Sequence, residues 1–182
     1  VIAAKKAIQD GVDLIVTADI GIRDFEAIEV ARNGGVDVLV CDHHLPAGES
    51  VPKDANVVLC PPQDGCKYPN PALAACGVSL KVAQTMLQKT NNFDTIFRSL
   101  MKLAAIGTIA DVVSLSTLEN RAIVSMGIQA VRDIRNGTGL QALLDVSGCS
   151  DGLINSSKIA FNIAPRINAA GRLDLATTVV EL

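Results

Sequence analysis

Five residues with metal-binding or acid–base chemistry stand at the ends of predicted segments. Asp19 ends one apolar, β-branched run, and the next run ends in Asp42, His43 and His44, the last two being the only histidines of the chain. Asp111 lies in an otherwise apolar stretch. Carboxylates combined with imidazoles suit Mn²⁺ or a similar divalent ion, and two such ions can clamp a phosphoryl group. The pattern predicts a metal site with Asp19, His43 and Asp111 as ligands.

Each of these residues also has a structural explanation. Asp19 could cap a helix that starts near residue 23, His43 and His44 could form an exposed turn, and Asp111 could be a buried acid that accepts backbone N–H groups. Their combination favours the metal site, because ligands of open parallel sheets bind beyond the carboxyl ends of adjacent strands. A two-metal site takes roughly six to eight protein ligands, so we expect further ligands from sequence missing here.

A second polar cluster lies late in the chain, at 164–174. Arg166 and Arg172 bracket a stretch of small residues that includes Asn168. Arginine binds phosphate oxygens bidentately, and small residues let a ligand approach the backbone, so this segment could bind substrate. The alternative is a helix break at Pro165 followed by a solvated loop.

Helical and strand patterns alternate over the first third of the chain. Helical spacing covers 2–9 and 23–33, and continuous apolar runs at 13–19, 36–42 and 55–60 predict strands that are buried on both faces. This alternation predicts a doubly wound parallel-sheet α/β fold. Three strands are few for such a sheet, and the chain begins with Val, so we expect an N-terminally truncated domain.

The remainder is predicted to be mostly helical. We place an α/β domain at 1–116 and a helical continuation at 117–182. The helical stretches after residue 72 are 77–89, 95–110, 118–134, 139–146 and 156–162.

Composition excludes several classes of protein. The 182 residues are 49% hydrophobic, which excludes disorder, and 3% aromatic, which argues against an aromatic base-stacking platform. The net charge of −3 gives no broad basic surface for duplex DNA. No apolar run reaches the length of a membrane span, and there is no G-x-G-x-x-G phosphate loop.

The five cysteines are odd in number and contain no C-x-x-C pair. We expect free thiols in a reducing cytoplasm. Zinc binding by Cys60 and Cys66 is the alternative.

Four motifs occur in an order that resembles one known family. TADIG at 17–21, CDHH at 41–44, GTIADVVSL at 107–115 and PRINAAGRLD at 165–174 are similar to the DHH phosphoesterase superfamily, and within it to its branch of single-strand-specific exonucleases. The resemblance implies hydrolysis of single-stranded DNA from the 5′ end to mononucleotides, with Mn²⁺ or Mg²⁺, in DNA repair and recombination. A candidate partner is single-strand-binding protein, and no membrane is involved.

The resemblance also implies roles for single residues. Asp19 would bridge two metals, His43 and Asp111 would bind one of them, Asp42 would support the histidines, and His44 would face the phosphate. The arginines at 166 and 172 would line the DNA path. The family's first, Asp-rich motif is absent and would precede Val1, so we expect these 182 residues alone to be inactive.

Two other functions fit the same residues. One is hydrolysis of short oligonucleotides or cyclic dinucleotides, which differs in the length of its substrate. The other is a non-catalytic DNA-binding relative, which would have lost metal ligands.

Overall fold

A computed structural model describes residues 1–48, 51–133, 139–150, 153–173 and 180. The elements of the first half are α1 (Ile2–Gln9), β1 (Leu14–Ala18), α2 (Phe25–Asn33), β2 (Asp37–Cys41), β3 (Val57–Leu59) and α3 (Ala75–Leu87). Those of the second half are α4 (Phe93–Ala110), α5 (Leu118–Arg132), α6 (Gly139–Val146), α7 (Ser156–Lys158), a π-helix (Ile159–Ile163) and α8 (Ala164–Leu173). The predicted elements are present, and the strands are shorter than their apolar runs.

The three strands form a parallel sheet in the order β1-β2-β3. At its carboxyl end, Ala18 pairs with Cys41, which pairs with Leu59. The residues that follow β1 and β2 therefore leave the sheet side by side. The predicted α/β fold with parallel strands is confirmed.

Helices α1 and α2 cover one face of this sheet. Ile28 of α2 packs with Val38 and Val40 of β2 in a buried cluster. On the other face, Leu14 and Val16 of β1 are 51% and 56% exposed. The prediction of strands buried on both faces is therefore wrong for β1, whose burial alternates residue by residue.

The chain forms two compact units, Val1–Thr85 and Met86–Leu182. The boundary predicted from the sequence lies between 116 and 117, whereas the two compact units divide between 85 and 86. The reason is the packing of α4, which the prediction assigned to the α/β part. Gly127 of α5 lies so close to α4 that a Cβ there would stand 2.2 Å from the Cβ of Ala105. The end of the predicted second part, 174–179 and 181–182, lies outside the described residues, as does residue 134 of the predicted helix 118–134.

The end of the described second unit is one run of helical backbone. Asn155 caps α7 by accepting from the backbone N–H of Lys158 over 2.9 Å. The π-helix follows, and Ile159 and Ile163 are fully buried in it. Pro165 lies directly after the π-helix, near the start of α8, and the helical backbone continues through it to Leu173. A helix break at this proline is therefore wrong.

None of the helices among the described residues has the length and apolar character to span a bilayer.

Candidate metal centre

Asp19 occupies a strained turn directly after β1. Its N–H continues the ladder by donating to the carbonyl of Cys41 over 3.0 Å. Its φ is then +68°, in the left-handed region that non-glycine residues seldom adopt. Such backbone strain is typical of functional sites. The helix cap of α2 is Asp24, so the interpretation of Asp19 as that cap is wrong.

Asp42 links the loops that leave β1 and β2. Its side chain is 1% exposed. One carboxylate oxygen accepts from the N–H of Ile22 over 2.9 Å. The other accepts from the N–H groups of His43 and His44 over 2.7 and 3.2 Å, and from Nδ1 of His44 over 2.7 Å. Burial raises the pKa of this carboxyl, but the hydrogen bonds from Ile22, His44 and His43 outweigh it and hold the pKa below its ordinary value of 3.8.

Three side chains converge above the ends of β1 and β2. Oδ1 of Asp19 lies 3.1 Å from Nε2 of His43, and His44 completes a group whose candidate ligand atoms all lie within 4.8 Å of one another. The His43 ring is 14% exposed, whereas the side chains of Asp19 and His44 are 62% and 52% exposed. The site is thus anchored by a nearly buried imidazole and opens toward solvent.

This donor set fits a divalent transition metal. One carboxylate and two imidazoles favour ions such as Mn²⁺, and these three groups are close enough to share one ion. Because Nδ1 of His44 donates to Asp42, its lone pair lies on Nε2, the nitrogen that could bind a metal. A carboxylate that orients a histidine in this way is common around metal ions. The structure thus adds His44 to the candidate ligands, beside its predicted contact with phosphate.

Cys60 supports the same loop from the end of β3. Its Sγ donates to the carbonyl oxygen of His44 over 3.3 Å. Burial and the nearby charge of Asp42 raise the pKa of this thiol to about 11. Within the described ranges, Cys60 and Cys66 belong to no group of three potential ligands, so the zinc alternative gains no support.

We expect Cys60 to resist alkylation. With a pKa of about 11, roughly one thiol in a thousand is ionised at pH 8, and only the thiolate reacts. Exposed Cys66 is the internal comparison. Peptide mass spectrometry after brief iodoacetamide treatment should find label on Cys66 and little on Cys60. Equal labelling of the two would contradict the burial of Cys60.

Asp111 belongs to the second unit, and its role as a ligand remains a prediction. It is exposed at the C-terminal end of α4, so the interpretation as a buried acid is wrong. A carboxylate is disfavoured there by the partial negative charge of the helix end. The next residue, Val112, is 86% exposed and has φ +56°, a strained value for a β-branched residue. The unfavourably placed carboxylate of Asp111 and the strained backbone of Val112 are adjacent, and together they indicate a functional position.

The predicted substrate-binding residues lie on α8 of the second unit. Arg166, Asn168 and Arg172 are all exposed. The Arg166 guanidinium donates to the carbonyl of Asn162 over 2.6 Å, which fixes it against the π-helix. A contact of these side chains with DNA remains a prediction.

The model of the DHH family's N-terminal domain matches residues 2–108, more than half of the chain. The chain therefore belongs to the DHH family.

Curated relatives within this family are single-stranded-DNA-specific exonucleases named RecJ. The RecJ of Bacillus subtilis is 40% identical over 172 residues, which cover 94% of this chain and 21% of that protein. The RecJ of Escherichia coli is 36% identical over 181 residues, 94% of this chain and 31% of that protein. The chain thus spans about a fifth to a third of the length of the curated relatives it matches.

Two solved structures resemble this one closely. An exonuclease RecJ bound to manganese superposes with a TM-score of 0.76 at 29% identity, over 96% of this chain and 43% of that one. RecJ of Thermus thermophilus in complex with Mn²⁺ gives a TM-score of 0.75 at 30% identity, over 96% of this chain and 26% of that one.

Sequence reasoning gave no role to three residues that lie beside the site. Cys60 follows a strand, as Asp19 and Asp42 do, so the same argument from strand ends could have found it. Thr17 and Gly21 flank Asp19 in TADIG, and a glycine two residues after a candidate ligand is a signal of a tight turn.

Proposed function

We propose that this chain supplies part of the catalytic domain of a divalent-metal-dependent exonuclease that hydrolyses single-stranded DNA from its 5′ end to mononucleotides, in DNA repair and recombination. The observation that carries the proposal is the meeting of Asp19, His43 and His44 within 4.8 Å at the carboxyl ends of two parallel strands. Membership of the DHH family and similarity to RecJ exonucleases, two of them solved with manganese, supply the substrate class.

The residues divide into ligands and groups that act on the phosphate. Asp19, His43 and Asp111 would hold Mn²⁺ or Mg²⁺, with the remaining ligands of a two-metal site supplied from outside this chain. When bound, such ions generate hydroxide and neutralise charge that develops on the phosphate. Asp42 holds His44 by its Nδ1–H, so Nε2 is the nitrogen of this ring that would act on the metal or the phosphate.

The second unit would bind the DNA strand. Arg166 and Arg172 would contact phosphate oxygens, and Asn168 between them offers an amide to sugar or phosphate. These contacts carry no base readout, which suits an enzyme that removes every nucleotide in turn. We place the reaction in the cytoplasm, where all five free thiols stay reduced, with single-strand-binding protein as a candidate partner.

A chimera tests this function. In Bacillus subtilis RecJ, the matching 172 residues would be replaced by this chain, because 40% identity over that length makes the segments comparable. The chimera with Mn²⁺ should release mononucleotides from long single-stranded DNA, and a substrate blocked at its 5′ end should survive. Chimeras that carry His43→Ala or Asp111→Ala should lose turnover and still bind DNA.

Three results would count against the proposal. Cleavage confined to dinucleotides or cyclic dinucleotides would favour the short-substrate hydrolase. DNA binding without cleavage, in a folded chimera that binds Mn²⁺, would favour the non-catalytic relative. Full activity of the His43→Ala chimera would remove this metal site from the mechanism.

A further inference from the structure

The turn that carries Asp19 is closed by the side chain of Thr17. Oγ1 of Thr17 donates to the carbonyl oxygen of Ile20 over 2.8 Å, so this hydrogen bond spans Asp19. The residues at the two ends of this turn are fixed independently of Thr17. The N–H of Asp19 donates to the carbonyl of Cys41, and the N–H of Ile22 donates to the carboxylate of Asp42. The Thr17 hydroxyl therefore acts on the short stretch between two anchored points.

The hydroxyl of Thr17 also packs closely against the backbone of Gly21. A Cβ at Gly21 would lie 2.7 Å from Oγ1 of Thr17 and 2.9 Å from Cγ1 of Val40, and φ of Gly21 is +119°. Only glycine leaves room at residue 21 for the threonine side chain and for the close passage of the turn over β2. The position of the hydroxyl is thus set by its surroundings on both sides.

The backbone has to place Asp19, because packing does not. Its side chain is 62% exposed, and its carboxylate approaches His43 within 3.1 Å. Because packing against neighbouring side chains does not hold this exposed carboxylate, its position follows the direction of the Cα–Cβ bond of Asp19. That direction depends on the left-handed φ of +68°. Without a restraint, this conformation would relax toward a common one, since it is costly for a non-glycine residue.

We propose that Thr17 is a positioning residue of the metal centre, whose hydroxyl holds the turn in the conformation that keeps the Asp19 carboxylate beside His43. For the metal, this inference rests on the proposed function. Thr17 itself would touch neither metal nor DNA. Its effect should appear as metal affinity, and as protection of the amides on either side of the turn.

A pair of substitutions separates the hydroxyl from the rest of the side chain. Thr17→Val keeps the branched shape, suits a strand and removes the hydrogen bond, whereas Thr17→Ser keeps the hydroxyl. We expect Thr17→Val to bind Mn²⁺ about 10–100-fold more weakly, the usual effect of losing a group that orients a ligand, and Thr17→Ser to bind as the unsubstituted chain does. Mn²⁺ titration followed by electron paramagnetic resonance measures this affinity.

Hydrogen exchange without metal gives the second measurement. In Thr17→Val, the amides of Asp19 and Ile22 should exchange faster, while those within β2 keep their protection. Equal Mn²⁺ affinity and equal protection in the Val and Ser variants would overturn the proposal. Protection lost throughout β2 would also overturn it, because Thr17 would then support the strand rather than the turn. If the unsubstituted chain binds no Mn²⁺, the proposed metal function fails, and the exchange data still decide whether Thr17 holds the turn.

Discussion

Asp19→Asn should lower the Mn²⁺ affinity of this chain by more than about 100-fold, beyond the effect expected for an outer group that merely orients a ligand. The substitution keeps the shape of the side chain and removes the negative charge that lies 3.1 Å from His43. A neutral amide is a poor substitute for a carboxylate ligand, and the remaining imidazoles cannot supply charge. The measurement is a titration of free Mn²⁺ by electron paramagnetic resonance.

The matched control for this substitution is Asp24→Asn. Asp24 is exposed, five residues further along the same loop, and its side chain forms no cap hydrogen bond to α2. Both variants lose one negative charge from the first unit, so a general electrostatic effect would weaken both equally. We expect Asp24→Asn to bind Mn²⁺ as the unsubstituted chain does. Equal affinities of the two variants would show that Asp19 is not a ligand.

Asp42→Ala should destabilise the first unit by roughly 3–5 kcal/mol, the usual cost of breaking a buried, hydrogen-bonded charge network. The substitution leaves three buried or partly buried N–H groups, of Ile22, His43 and His44, without their acceptor. It also removes the hydrogen bond from Ile22 that ties the loop after β1 to the residue that follows β2. Both the fold and the geometry of the metal centre therefore depend on this side chain.

The chain offers a convenient probe and a control for this experiment. Tyr68 is the only tyrosine, there is no tryptophan, and Tyr68 lies in the first unit, so tyrosine fluorescence reports the unfolding of that unit. Asp37, the first residue of β2, is 58% exposed and pairs with Arg32. Asp37→Ala should cost about 1 kcal/mol or less. A loss of stability in Asp42→Ala no larger than this would contradict the linking role.

The pH dependence of stability follows from the same carboxylate. Because the pKa of Asp42 in the folded chain lies below its ordinary value of 3.8, its contribution is fully present above that pH and is lost as the pH falls below 3.8. The stability difference between the unsubstituted chain and Asp42→Asn should therefore shrink on acidification below pH 3.8. A difference that grows in this range would reverse the assigned sign.

Local patterns predicted the elements of this fold well, because helical spacing and strand runs depend on nearby residues. The helix at 23–33 was found from its apolar spacing and from the glycines that follow it, and it begins two residues later, at Phe25. Burial was harder to predict. Within the run 13–19, Leu14, Ile15 and Val16 are consecutive apolar residues, yet one face of β1 is exposed, and no local pattern records what covers a sheet.

The site was predictable in its residue types and less so in its geometry. Strand ends pointed to Asp19 and His43, which the structure brings together. The bond between Asp42 and Ile22 joins residues 20 positions apart, and the turn after Asp19 passes so close to Val40 that residue 21 has room only for glycine. The first leaves no mark in residue spacing, and the second leaves only the glycine at 21. Pro165 misled for a related reason, since the π-helix directly before it is not marked in residue spacing either.

The π-helix at Ile159–Ile163 has a consequence for how this segment tolerates insertions and deletions. Such a helix corresponds to one extra residue within an α-helix, and each residue turns an α-helix by about 100°. Ile159 and Ile163 are buried in one apolar cluster, and Ile167 of α8 packs against the same cluster. Deletion of one residue here would restore regular α-helical spacing and rotate Arg166, Asn168 and Arg172 together around the helix axis. The direction in which these three side chains leave the helix therefore depends on the one extra residue in the π-helix that precedes them.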